Sequence, residues 1–200
     1  MAGEVLVPER CVDHLVLQRC EMQAMGPQDA RTLLVELPKG DFAKTIARQF
    51  FFSSYALAQS DALRQSSNAE LSGIAVKMHK ESRYHVRHSG DWMLRLGLGT
   101  DESHARLQAA VDELWHFTGE LFDVDDVERD LVADGIAVDR ATLKAPWRTE
   151  VARVLQAATL SMPDDGFMQR GGREGRHTEH LGHLLAEMQI VARSYPGTEW

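Results

Sequence analysis

The sequence predicts an all-α protein built as a bundle of antiparallel helices. Apolar residues recur at helical spacing over most of the chain from residue 41 onward, and no segment alternates as a strand would. Pro and Gly number only 6 and 15, and most of them lie between the periodic segments, as expected for helices joined by few connections. Hydrophobic residues make up 44% of the 200 residues, which is enough for a substantial core.

The first long helix is predicted to follow an Asp41 N-cap. Before it lies a segment of mixed pattern, 1–31, in which Gly26-Pro27 would end a short helix. The aromatic triplet at 50–52 covers more than half of the circumference of the long helix. We therefore expect this helix to be buried on several sides, in the centre of a bundle or at an interface between protein chains.

Capping residues and helix breakers set the remaining boundaries. One helix is predicted at about 69–96, after a Ser67 or Asn68 cap and before Gly97. The next helix follows a Thr100 cap, and its apolar stripe reaches Leu121 and Phe122. Three more helices are predicted at about 125–133, 143–159 and 177–194.

Charge and composition exclude several classes of function. The formal net charge of −8 disfavours nucleic acid and anionic membranes as partners. No run approaches the roughly 18 apolar residues of a membrane span, and the N-terminus does not have the pattern of a secretory signal. Two cysteines, Cys11 and Cys20, do not suggest a disulfide framework. The cytoplasm is the expected compartment.

Two glutamate–histidine pairs have the spacing of di-iron ligands in helical bundles. Glu113 and His116 form one pair, and Glu174 and His177 form the other, so each pair shares one helix face. A complete site also needs inward carboxylates on the other helices, yet segment 42–58 of the first long helix contains no Asp or Glu. We therefore expect no metal site in this chain.

The second long helix carries a polar cluster with two interpretations. Glu81, His85 and His88 lie close to one line on the helix surface, with Tyr84 and Lys77 on the same wide face. The cluster could bind a metal or carry protons. The favoured interpretation is a hydrogen-bonded group in which Lys77 neutralises Glu81.

The last helix is rich in histidine, but its polar residues do not converge. His177 and His180 fall on the apolar face, whereas Glu179, His183 and Glu187 point roughly the other way. We expect His177 and His180 to be partly buried hydrogen-bonding groups near the helix start, with a role at an interface as the functional alternative.

Four segments in this chain resemble the C-subunit family of bacterial phenylacetyl-CoA epoxidases. They occur in the order of that family and read LLVELPKGDFAKTIARQFF, KESRYHVRHSGDWMLRLGLGT, ELWHFTGELFD and GREGRHTEHLGHLLAEMQIVARSYPG. The resemblance covers about 32–200, and its most specific block is HTEHLGHLLAEMQ. The segment 1–31 does not resemble the family, which normally has a long helical hairpin before the matched part.

The resemblance implies a ferritin-like antiparallel helical bundle over 32–200 that is incomplete at its N-terminus, with 1–31 as a divergent segment. It implies a non-catalytic structural subunit with no cofactor of its own. That subunit would hold a homologous catalytic A subunit, which carries the di-iron site and binds phenylacetyl-CoA. A small B subunit and a reductase that delivers electrons from NADPH would complete this ring-epoxidising monooxygenase of aerobic phenylacetate degradation.

No catalytic residue is implied for this subunit. Six polar residues match the family blocks without an assigned role: Glu81, Tyr84, His85, His177, Glu179 and His180. Two alternatives remain open. One is a ferritin-like oxidase that binds metal through Glu81, His85, Glu113 and His116, and the other is a regulatory helical protein outside phenylacetate degradation.

Overall fold

A computed structural model describes residues 32–196 of the chain. The segment 1–31, with the short helix expected there and both cysteines, lies outside the described residues. Within 32–196 the secondary structure is entirely helical, which confirms the all-α prediction and fits the expected ferritin-like bundle. No helix in this part of the chain is long and apolar enough to cross a membrane.

Seven α-helices and three short 3₁₀ helices follow one another in the described residues. The α-helices are α1 (Leu33–Glu36), α2 (Phe42–Leu63), α3 (Ala69–Gly97), α4 (Asp101–Trp115), α5 (Asp126–Ala133), α6 (Lys144–Ala157) and α7 (Glu179–Ser194). The 3₁₀ helices span Gly119–Phe122, Arg140–Leu143 and Gly172–Glu174.

Side-chain caps fix the starts of four helices, largely as the sequence predicts. Asp41 accepts a hydrogen bond from the Lys44 N–H at the start of α2. Asn68 caps α3, while Thr100 and Asp125 form reciprocal capping boxes at α4 and α5. Each cap satisfies backbone N–H groups that have no partner within their helix, so the chain enters each helix at a defined residue.

Two predicted boundaries are wrong. Helix α4 ends at Trp115, so Leu121 and Phe122 are not part of it, although both are buried in the following 3₁₀ helix. Helix α7 starts at Glu179 after a Thr178 N-cap, so His177 precedes the helix. Leu121 and Phe122 keep the apolar spacing after the helix has ended, because the core needs their burial and not their helical geometry. His177 keeps the spacing of α7 on its N-terminal side, before the Thr178 N-cap starts the helix.

Helix α2 is the central element of the bundle and packs against α1, α3, α4 and α6. Phe50 and Phe51 have no exposed surface, and Phe52 is partly buried against the same core, so two of the three aromatic residues are fully buried. The Phe51 ring meets Trp115 of α4 at 5.8 Å between centroids, and Trp115 stacks on Trp147 of α6 at 5.5 Å. The Trp147 Nε1–H donates to the Phe51 carbonyl at 3.1 Å. These aromatic contacts join three helices around one point.

The long antiparallel pair α2–α3 approaches closely because small side chains line the contact. Ser53, Ser60, Ser82 and Ser89 are all buried on these two helices. The Ser89 hydroxyl donates to a carbonyl of its own helix, that of His85, at 2.6 Å. The hydroxyl group is thus satisfied within its own helix, and the short serine side chain allows the two helices to pack closely.

We predict opposite effects for two glycine substitutions in α3. A Cβ on Gly97 would lie 2.8 Å from the Cβ of Ala158 and would also press on the Ala158 backbone, whereas a Cβ on Gly73 would meet no atom within 4 Å. Gly97→Ala should therefore lower the free energy of unfolding by about 1–3 kcal/mol. Gly73→Ala should raise it by up to about 1 kcal/mol, because alanine favours the helix.

Urea denaturation of the full chain, followed by circular dichroism, measures both changes. Gly73→Ala is the matched control, since it makes the same substitution in the same helix. Equal stability of the two variants would contradict the close approach of α3 and α6.

Candidate functional site: two buried carboxylates

Glu120 is a buried carboxylate that connects three separate parts of the chain. Its side chain belongs to the 3₁₀ helix Gly119–Phe122, and the residue is only 1% exposed. One oxygen, Oε1, accepts a hydrogen bond from the Leu33 N–H at the start of α1. The other, Oε2, accepts from the N–H groups of Gly171 and Gly172, each at 3.2 Å. Both oxygens are thus engaged with backbone donors.

The glycine loop at 171–172 has the backbone shape that this contact requires. Gly171 has a φ of +126°, a conformation that side-chain-bearing residues rarely adopt. Its N–H and that of Gly172 consequently point to the same carboxylate oxygen, as in other concave backbone anion sites. A Cβ on Gly171 would also meet the Arg176 side chain at 2.8 Å.

Glu36 is the second buried carboxylate and lies at the end of α1, 3% exposed. Its Oε1 accepts from the Thr178 N–H at 3.2 Å, at the start of α7. Its Oε2 lies 3.4 Å from Nδ1 of His177, whose side chain is 8% exposed. Among the described residues, neither His177 ring nitrogen nor the Thr178 hydroxyl has a hydrogen-bond partner. Glu36 therefore connects α1 to the first residues of α7.

Burial dominates the ionisation of both carboxyl groups. Loss of solvation raises the pKa of Glu36, and the Thr178 N–H and the neighbouring His177 and His180 offset only part of this effect. Loss of solvation likewise raises the pKa of Glu120, against the three backbone N–H groups that favour its charged form. Each carboxylate thus carries a desolvation cost that its hydrogen bonds only partly compensate.

The glutamate–histidine pairs with metal-ligand spacing do not converge. Glu113 forms an ion pair with Lys44 at 2.7 Å on the surface, and the His116 Nδ1 lies 2.9 Å from the carbonyl oxygen of Phe167. Glu174 is exposed and pairs with Arg176. Over the described residues, no three side chains of the His, Cys, Asp and Glu types come close enough to hold a metal ion.

The polar cluster on α3 is organised by ring contacts and not by an ion pair. The Tyr84 ring stacks on His88 at 6.1 Å between centroids and meets the edge of His85 at 5.6 Å. No ion pair within 4 Å joins Lys77 to Glu81 in the described part of the chain, so the expected neutralisation of Glu81 is wrong. Lys77 is exposed and Glu81 is half-buried, so a pair between them would be partly open to solvent, where such pairs contribute little.

The predicted residues at the end of the chain separate into two groups. His177 Nδ1 lies 3.4 Å from the Glu36 carboxylate, and both His177 and His180 act to lower the pKa of that group. Glu179 is exposed in the first turn of α7 and does not share this environment. The structure therefore brings the two histidines together with an acid that the sequence analysis did not single out.

Sequence reasoning missed Glu36 and Glu120. Each acid stands within an apolar run, LLVEL for Glu36 and GELF for Glu120. An isolated acid in an apolar run is the signal that could have indicated a buried carboxylate. A charged group is buried in a core only where hydrogen-bond donors are present to pair with it. The hydrogen-bond partners of the two acids could not be identified from the sequence. Gly172 lies 52 residues from Glu120, and Thr178 lies 142 residues from Glu36.

Replacing Glu120 with glutamine should weaken the connection between α1 and the glycine loop. In Glu120→Gln one oxygen becomes an amide nitrogen, which would face a backbone N–H donor. We expect the free energy of unfolding to fall by about 1–3 kcal/mol, the cost of a buried unsatisfied donor. Guanidinium denaturation measures it, with the exposed-site variant Glu174→Gln as control; similar stabilities of the two variants would contradict this role of Glu120.

The stability difference between Glu36→Gln and the wild-type chain should depend on pH. Burial places the pKa of Glu36 above its ordinary 4.5, so the carboxyl group contributes most to stability below that pH. This contribution is lost as the pH rises through the folded-state pKa. The free energy of unfolding of the variant, relative to that of the wild-type chain, should therefore be higher at pH 8 than at pH 4. A difference between Glu36→Gln and the wild-type chain that stays constant between these two pH values would refute it.

Comparison with known proteins agrees with the family resemblance of 32–200, and the family match also includes residues 2–31, which the sequence analysis did not relate to the family. A family model described as "Phenylacetic acid catabolic protein" matches residues 2–200. The C subunit of 1,2-phenylacetyl-CoA epoxidase from Escherichia coli (strain K12) is 47% identical over 173 residues, which cover 86% of this chain and 70% of that protein. Because the family match spans nearly the whole chain, this polypeptide belongs to the phenylacetic acid catabolic protein family.

Proposed function

We propose that the chain is a non-catalytic structural subunit of a phenylacetyl-CoA epoxidase complex in aerobic phenylacetate degradation. In this proposal it holds an iron-containing catalytic A subunit. The complex would also contain a small B subunit and a reductase that uses NADPH, and it would work in the cytoplasm. The support is the 47% identity to a protein that is named as the C subunit of such an enzyme.

One structural observation carries the assignment of a scaffold role. The two buried carboxylates, Glu120 and Glu36, direct their oxygens at backbone N–H groups and at His177. A carboxylate that ligates iron must offer an oxygen lone pair to the ion. Three of the four oxygens here accept backbone hydrogen bonds, so these acids are used to fix the chain path.

The alternative of a metal-binding oxidase gains no support from its four candidate ligands. Glu113 is committed to Lys44, and His116 lies on the surface beyond the end of α4. Glu81 and His85 lie half-buried on α3, and the His85 ring contacts the ring of Tyr84. The scaffold proposal therefore stands ahead of it.

Reconstitution with the catalytic subunit of the same organism tests the proposal. Phenylacetyl-CoA-dependent oxygen uptake should require this chain, and the double variant Glu113→Ala/His116→Ala should support at least half of the wild-type rate. The reason is that neither side chain would hold a reacting metal. An oxygen electrode measures the rate, and elemental analysis of the two separated proteins should place the iron with the partner.

The variant Glu120→Gln serves as the structural control in the same assay. Its activity should fall in proportion to the amount of assembled complex, measured by size-exclusion chromatography. Iron bound stoichiometrically to this chain, and lost in Glu113→Ala/His116→Ala together with activity, would overturn the proposal in favour of the oxidase.

A further inference from the structure

Helix α7 is much longer than the helix that it packs against. It has 16 residues and extends roughly 24 Å, whereas its main neighbour among the described helices, α1, has 4 residues and extends roughly 6 Å. The buried residues of α7 are Leu181, Leu185 and Gln189. After Ala186, every residue of α7 except Gln189 and Ala192 is exposed. The second half of α7 is therefore covered on one narrow side by the described part of the chain.

A line of apolar side chains runs along α7 beside its buried side. Leu184, Met188 and Val191 follow one another at spacings of four and three residues, so they share one side of the helix. Leu184 is half-buried, Met188 is 36% exposed and Val191 is 50% exposed, so exposure increases along the helix. We call these three residues the α7 line. Apolar residues in this arrangement are typical of a helix face that packs against another segment.

The segment 1–31 joins the described fold close to α7. It ends at Thr32, the N-cap of α1, and the Leu33 N–H that follows is held by Glu120. At the other end of this short helix, Glu36 accepts the hydrogen bond from the Thr178 N–H at the start of α7. A stretch of 31 residues thus enters the fold beside a helix whose outer side has little cover among residues 32–196.

The sequence of 1–31 contains a stretch with the amphipathic pattern that could cover the α7 line. This stretch is 9–25, between Pro8 and Gly26. On a helix of about 3.6 residues per turn, four of its apolar residues share one side and three charged residues lie opposite: Val12, Leu15, Val16 and Met22 against Arg10, Asp13 and Glu21. Such a helix would extend roughly 26 Å, close to the length of α7.

The tether and the family match select this segment as the occupant. The family model matches residues 2–200, so it includes both 2–31 and α7. A segment attached beside α7 also docks without the translational entropy that a separate molecule loses on binding. Its linker, 26–31, keeps the local concentration of the segment in about the millimolar range. A second copy of the chain or a different protein lacks this advantage.

We infer that the α7 line is the docking surface for the chain's own residues 9–25, which pack on it as an amphipathic helix. The apolar side of that helix, with Leu15 and Val16 near its centre, covers Met188 and Val191. Gly26 and Pro27 allow the chain to reverse its direction between this helix and α1. The inference does not rest on the proposed function, because both surfaces belong to this chain.

Alkylation of an introduced cysteine in the full chain tests the inference. Val191→Cys lies on the α7 line, and Ile190→Cys lies on a different side of the helix. The wild-type side chains are 50% and 61% exposed, so the two sites are similarly open to reagent unless another segment covers one of them. N-ethylmaleimide should modify Val191→Cys about 10-fold more slowly than Ile190→Cys. Peptide mass spectrometry separates both sites from the native Cys11 and Cys20.

One substitution at two positions of the segment identifies the occupant. Leu15→Asp places a carboxylate on the apolar side of the proposed helix, where docking would bury it without a partner. It should bring the alkylation rates of Val191→Cys and Ile190→Cys to within about 2-fold of each other. Leu17→Asp is the matched control, because Leu17 lies on the opposite side of that helix. It should leave the difference between the two rates in place.

Three results would overturn the inference. The first is equal alkylation of Val191→Cys and Ile190→Cys, and the second is a difference that responds equally to Leu15→Asp and Leu17→Asp. The third is protection of Val191→Cys that grows with protein concentration, which would assign the α7 line to a second copy of the chain. Protection that appears only when the catalytic subunit of the same organism is added would assign the line to that partner, with the same consequence.

Discussion

The carboxylate of Glu120 is the interaction on which the arrangement of the chain's distant segments depends. It joins the start of α1 to the glycine loop, whose donors are Gly171 and Gly172. That loop leads into α7, and Glu36 then makes the second connection through the N–H of Thr178. A charged group can occupy such a position only because several backbone donors replace the water it loses. The path of the backbone thus accounts for the burial of the two acids, and the hydrogen bonds of these acids in turn stabilise that path.

Charge is used in two different ways in this molecule. Inside the bundle, Glu36 and Glu120 are committed to backbone groups, and on most of the surface arginines are committed to neighbouring acids. Four exposed cations of α3, which are Lys77, Lys80, Arg83 and Arg87, make no ion pair with an acid of the described residues. Surface ion pairs contribute little to stability, so this difference has little effect on folding.

Sequence alone was sufficient for the elements with local causes. The caps Asp41, Asn68 and Thr100 act on residues two or three positions ahead, so helix starts could be predicted from the sequence. The end of α4 could not, because Phe122 is buried whether or not the backbone remains helical. Glu120 was missed for the opposite reason, since its donors come from residues remote in sequence. The α3 cations were visible as residues, but their lack of partners depends on the tertiary structure.

The central claim is that the buried acids bind the backbone and not iron. Hydrogen exchange of the Leu33, Gly171 and Gly172 amides, in the presence and absence of excess Fe(II) under anaerobic conditions, tests it most directly. If Glu120 is held by these three donors, their protection should be strong and should not change when iron is added. Iron-dependent loss of protection at these amides, with faster exchange at Thr178 as well, would mean that the carboxylates turn to a metal and would contradict the claim.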